Sequence, residues 1–270
     1  LTQELRKIVG DEFYLNFKVF PSYNFLNLYK ETVFCHLNPG GNPDVGEFYN
    51  NEILKSKDVN DFIDKYVAGS INYPQKRFID NRGFDNFDFK QALYLSGFTN
   101  NGIEFSSKED IEFKNKENQS KDCFNVLTQK TQLELIPYQS SKFSRIFTSQ
   151  KISDKLLTFI KPYFEELLNI ITLRERKYVI FGSTQYEQIF KSYNKINPII
   201  LERTEKFCFD IGVTKKAYFS MYKIKWNNKE FYAGVAHSFA RQDLPNAFKQ
   251  MKTYGELSAK KYHEFVNKSK

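Results

Sequence analysis

Cysteine is scarce in this chain, and so are the other residues that announce a built-in chemistry. Three thiols, Cys35, Cys123 and Cys208, stand far apart with no Cys-x-x-Cys spacing. An odd, dispersed set argues against a disulfide framework and against a four-thiolate zinc or iron–sulfur site, and fits a reducing compartment. No metal, metal cluster or other cofactor is expected. Long apolar runs are missing too: no stretch of about 18 apolar residues occurs, so no membrane span is expected. The amino end lacks the charged-then-apolar pattern of a secretion signal. A cytoplasmic protein is the expectation, and Leu1 in place of Met points to a few residues missing ahead of it.

Aromatic side chains and positive charge are what the chain has in quantity. With 28 Phe and 17 Tyr among 270 residues, core volume must come largely from rings, and some of those rings could stack on bases. Forty Lys and Arg against 32 Asp and Glu leave a net charge of +8. That balance suits a polyanionic partner, although an Asn- and Lys-rich sequence can equally reflect genome composition. No internal repeat and no clean boundary interrupts the chain, so residues 1–270 read as one large, monomeric α/β domain. The polar, charged stretch at about 99–122 reads as an insertion on its surface.

The pattern of elements supports that class. Helical spacing near the amino end gives way to an aromatic segment at 13–20 and a short buried strand at 32–37. A helix over 59–66 follows, then one from Phe89 to Leu95 that ends near Gly97. Val126 to Ile136 alternates like a strand. Ser153-Asp154 opens a long amphipathic helix to about Arg176, broken or kinked at Pro162. Tyr178–Phe181 reads as a buried strand, with a helix from Thr184 to Tyr193 after it. Tyr218–Trp226 and Phe231–Ala236 read as strands joined by a hairpin-like turn at Asn227-Asn228-Lys229. The tail, 245–267, reads as one or two helices interrupted near Gly255. Strands separated by helices imply an α/β sandwich with parallel central strands. Ligands in such sheets gather at the carboxyl ends of strands, where this chain places Asn38, Ser183 and His237-Ser238.

Two stretches are unusual. The apolar run Val33–Leu37 stops abruptly at Asn38-Pro39-Gly40-Gly41, a turn where backbone can approach a ligand and Asn38 can hold a water or a base edge. It is also an ordinary turn sequence, or a cradle for a small phosphorylated ligand. The last strand runs into His237-Ser238-Phe239-Ala240-Arg241, and a histidine there can donate to an oxygen that becomes negative in a transition state, or simply be a structural residue.

Together, HLNPG at 36–40 and AHSFARQDL at 236–244 resemble the two motifs of the uracil-DNA glycosylase superfamily. The resemblance implies a three-layer α/β/α sandwich around a mainly parallel, four-stranded sheet. It also implies an activity, hydrolysis of the N-glycosidic bond of a uracil, mismatched or modified base flipped out of DNA. Asn38 would position the attacking water, and His237 would stabilise charge on the leaving base. His36, Leu37, Pro39 and Gly40 would line the base pocket, Phe48 or Tyr49 would stack on the base, and Gln139 or Ser140 would read its edge. Ser238, Phe239, Ala240 and Arg241 would form the loop that enters the DNA, with Phe239 as wedge. Three departures stand out. His36 replaces a Gly, no Pro separates His237 from Ser238, and Asn38 can orient a water without accepting its proton. A catalytically silent nucleic-acid-binding or nucleotide-sensing module is the alternative these departures raise.

Overall fold

Five consecutive buried residues, Thr32–His36, form strand β1, which is paired along both of its edges. A strand covered on both faces and both edges must be almost continuously apolar, and TVFCH is apolar apart from two small or neutral polar side chains. The computed structural model describes residues 30–37, 86–100, 123, 125–127, 129–135, 152–211, 216–239 and 248–269. In chain order after β1 come α1 (Asn86–Thr99), β2 (Lys130–Glu134), α2 (Asp154–Thr172), β3 (Tyr178–Phe181) and α3 (Gln185–Tyr193). Then follow β4 (Ile200–Arg203), β5 (Phe207–Phe209), β6 (Ala217–Trp226), β7 (Lys229–Ala236) and α4 (Phe248–Lys268).

The strands make one mixed sheet in the order β2-β1-β3-β7-β6-β4, with β5 also on β6. β2, β1, β3 and β7 run parallel, whereas β4, β5 and β6 add antiparallel pairings beyond them. Among the described residues the sheet therefore has seven strands, four of them mutually parallel; the short β4 and β5 are not visible as a period in their sequence. Alternation along β1 divides the core. Val33, Cys35 and Leu37 pack with Ile160, Phe164, Tyr186 and Phe190 of α2 and α3. Phe34 packs with Leu93 and Phe98 of α1 and Tyr254 of α4.

Several element ends follow from local chemistry. Ser153 caps α2, its hydroxyl accepting from Leu156 N–H at 3.2 Å. Pro162 is exposed and does not break the helix. α2 stops at Thr172, short of Arg176, because Arg176 folds back and donates to the Ile171 and Ile170 carbonyls at 3.2 and 3.1 Å, and Lys229 Nζ donates to Thr172 O at 2.7 Å. Asn227 and Asn228 both have positive φ, 48° and 62°, as a two-residue type I′ hairpin requires.

Three sequence expectations need correction. Residues 125–127 are helical, and the strand expected from Val126 starts only at Lys130; Val126 is buried against the α1 side of the sheet. Gly97 does not end α1, and Gly255 does not interrupt α4. The two glycines lie where these helices cross: a Cβ at Gly97 would stand 2.0 Å from Lys252 O, and one at Gly255 would stand 2.0 Å from Tyr94 O. Of the expected insertion, Thr99 and Asn100 are seen at the end of α1; the rest, the helix at 59–66 and the amino-terminal elements lie outside the described residues.

The crossing predicts that Gly97→Ala and Gly255→Ala each destabilise the fold by at least about 1–3 kcal/mol, the usual cost of overpacking. Urea unfolding measures this directly, and a wild-type midpoint in both variants would contradict the crossing.

Candidate functional site at the parallel strand ends

The chain leaves β1 toward β2 on one side and later places β3 on the other, so strand order reverses between β1 and β3. In open parallel sheets the crevice for ligands opens at that reversal, outside the carboxyl ends. His36, the last residue of β1, fills it. Its ring takes the place a side chain at Gly182 would need: a Cβ there would lie 2.8 Å from His36 Nδ1 and 2.9 Å from Cε1. Phe239, just past β7, meets the same ring edge-on at 6.3 Å between centroids. From α1, the Gln91 side-chain amide meets His36 Nε2. Burial, reinforced by the positive charge of Lys130, holds the His36 pKa well below its ordinary value, and the ring is neutral.

Backbone and side-chain bonds keep the strand ends level. His36 O accepts from Leu135 N at 2.8 Å and from the Tyr186 hydroxyl at 2.6 Å. Cys35 O accepts from Gly182 N at 2.8 Å. Leu37 is buried on the α2–α3 side. Burial pushes the Tyr186 hydroxyl pKa well up, which keeps it a donor at neutral pH.

At the end of β7, His237 is 3% exposed and its ring stacks on Tyr218 at 5.1 Å and 23°. Its backbone N–H donates to Tyr254 Oη at 3.0 Å, and that hydroxyl donates to Tyr218 O at 2.5 Å. Tyr218 also carries the Lys206 ammonium 5.4 Å from its ring centre. Lys206 pairs with Glu187 at 2.9 Å, which accepts from Ser220 Oγ at 2.6 Å. His237 is thus oriented on two sides, a precondition for either a catalytic or a purely structural role.

The structure brings His36, Leu37, His237, Ser238 and Phe239 to one end of the sheet. It does not present Phe239 as a wedge. The ring is 1% exposed, 5.1 Å from Tyr94 and 5.7 Å from Phe34, because the chain turns inward after Ser238 and the apolar ring completes the α1–α4 core. Asn38, Pro39, Gly40, Phe48, Tyr49, Gln139, Ser140, Ala240 and Arg241 lie outside the described residues. β2 ends at Glu134, so the side chain at that strand's tip is a carboxylate. Gln91, Gly182 and Tyr218 are further members of the site. Only Gly182-Ser183 carried a sequence signal, as a polar stop after a buried strand.

Among the described residues no three His, Cys, Asp or Glu side chains gather to hold a metal ion, and no helix is long and apolar enough to cross a membrane. Comparison of the chain with protein-family models, curated proteins and solved structures finds no match. The likeness to the uracil-DNA glycosylase superfamily rests on residues 36–40 and 236–244 alone.

His36 generates a pH prediction. In the unfolded chain it takes a proton below about pH 6.5, whereas the folded protein keeps it neutral, so the unfolded state binds more protons there. Stability contributed by neutral His36 is present above that pH and lost as pH falls, at no more than about 1.4 kcal/mol per unit. Urea unfolding at pH 7 and pH 5 is expected to show a smaller drop in His36→Gln than in the wild type. Equal drops would contradict a neutral, buried His36.

Proposed function

We propose that the protein is a DNA glycosylase of the uracil-DNA glycosylase type, hydrolysing the N-glycosidic bond of a flipped-out uracil, mismatched or modified base. The observation that carries this reading is the meeting of two stretches from opposite ends of the chain at the reversal point of a parallel sheet, where the His36 and Phe239 rings touch across Gly182. In this reading β2, β1, β3 and β7 are the four-stranded sheet of a three-layer α/β/α sandwich. Asn38 orients the water, and His237 stabilises the negative charge that grows on the base as the bond breaks. Phe48 or Tyr49 stacks on the base, and Gln139 or Ser140 contacts its edge. Ser238, Ala240 and Arg241 face the DNA, whose phosphates the net charge of +8 attracts in a salt-sensitive way. The protein acts as a cytoplasmic monomer.

One observation favours the second reading, a catalytically silent nucleic-acid-binding module. His36, His237 and Phe239 are 4%, 3% and 1% exposed, so none of the three rings is open to a base arriving from solvent. Labelled oligonucleotides carrying uracil, hypoxanthine, mismatched thymine and modified cytosines, treated with hot alkali after incubation, separate the two. Glycosylase action leaves alkali-labile abasic sites at one base, and His237→Ala slows their formation by about 10²–10³-fold with DNA binding retained. Intact strands across the panel, with salt-sensitive binding, would establish the silent module; full activity in His237→Ala would refute the role given to that residue.

A further inference from the structure

We infer that Glu134, held at the tip of β2 by a Lys130–Gln132 relay and directly across from His36, is the base that accepts the water proton during hydrolysis. The inference rests on the glycosylase reading and fills a gap in it, because the Asn38 amide cannot take a proton.

Among the described residues β2 is the last strand on its side of the sheet, yet Lys130 is 2% and Gln132 6% exposed. A lysine is almost never that buried unless it is paired, because desolvating an ammonium is costly. Here Lys130 Nζ donates to Gln132 Oε1 at 2.6 Å, and Gln132 Nε2 donates to Glu134 Oε1 at 2.8 Å. Both ends of the Gln132 amide are used, so its orientation is set: carbonyl toward the ammonium, amide N–H toward the carboxylate. The result is a carboxylate held through Oε1 by the residue beneath it, the kind of support a catalytic group needs.

Its position fits the role. In the β1–β2 register, Lys130, Gln132 and Glu134 stand opposite Thr32, Phe34 and His36, on the side of the sheet that carries the His36 ring. The Leu135 N–H to His36 O bond of 2.8 Å keeps the two tips level. Among the described residues at the four parallel strand ends, 36–37, 134–135, 181–183 and 236–238, Glu134 is the one carboxylate.

The chemistry balances without a further reactant. As the water oxygen bonds to C1′ of the sugar, Glu134 takes one of its protons. The bond from C1′ to the base nitrogen breaks, and its electron pair leaves with the base. Protonation of the departed base then regenerates the carboxylate, leaving a C1′ hydroxyl on the abasic sugar.

Single-turnover release from whichever oligonucleotide the wild type processes provides the test. Glu134→Gln, similar in size but not basic, is expected to slow release by about 10²–10⁴-fold. It should bind the same oligonucleotide unchanged and lose the rise of rate with pH that the wild type shows on the acid side. Glu134→Ala is expected to regain activity when formate is added. Wild-type rate and pH profile in Glu134→Gln would overturn the inference, and so would a slowed Glu134→Ala that formate does not rescue. A wild type that releases no base from any substrate would instead remove the glycosylase reading, and this inference with it.

Discussion

The candidate site depends on one constraint, the pairing of β1 along both of its edges. Thr32 is registered against both Lys130 of β2 and Tyr178 of β3, and the pairing continues to Cys35 on both sides. A slip of one residue would exchange the two faces of the strand. The His36 imidazole would then be driven into the apolar cluster under α2 and α3, while Val33 and Cys35 would leave it. Because both faces are buried, a one-residue slip strands a polar ring in that cluster, and the native register puts the ring over Gly182 at the reversal of strand order.

The second support comes from the α1–α4 crossing. The absence of Cβ atoms at Gly97 and Gly255 lets the two helix backbones meet, and the Tyr94 and Tyr254 rings come to 4.9 Å. Tyr254 precedes Gly255, and its hydroxyl is the group that ties His237 N–H to the Tyr218 carbonyl. A helix contact far along the chain from either motif thereby sets the position of the histidine at the end of β7. Gln91 on α1 does the same for His36. Packing on this side of the sheet and the geometry of the strand ends are one problem, solved by the same helices.

Much of the framework was legible in the residues themselves. The β1 and β3 runs, the Ser153 cap and the Asn-Asn turn of the β6–β7 hairpin each obey short-range rules, and the structure follows them. What was not legible depends on neighbours distant in sequence. Gly97 and Gly255 read as helix stops because nothing in a single segment reveals a second helix waiting at contact distance. The alternation over 126–136 does not say what Lys130, Gln132 and Glu134 face, and only the register places them beside Thr32, Phe34 and His36. Phe239 has the composition of a wedge and the location of a core ring, and only tertiary packing separates the two.

The central claim is that the ends of β1 and β7 form one nucleic-acid site. Hydrogen–deuterium exchange of the protein, alone and with a duplex carrying an abasic-site analogue, tests it most directly. The account predicts slowed exchange at and just beyond the ends of both strands, around residues 36–40 and 237–241. Exchange unchanged at both ends, or slowed only along β4 and β5 at the far edge of the sheet, would contradict it.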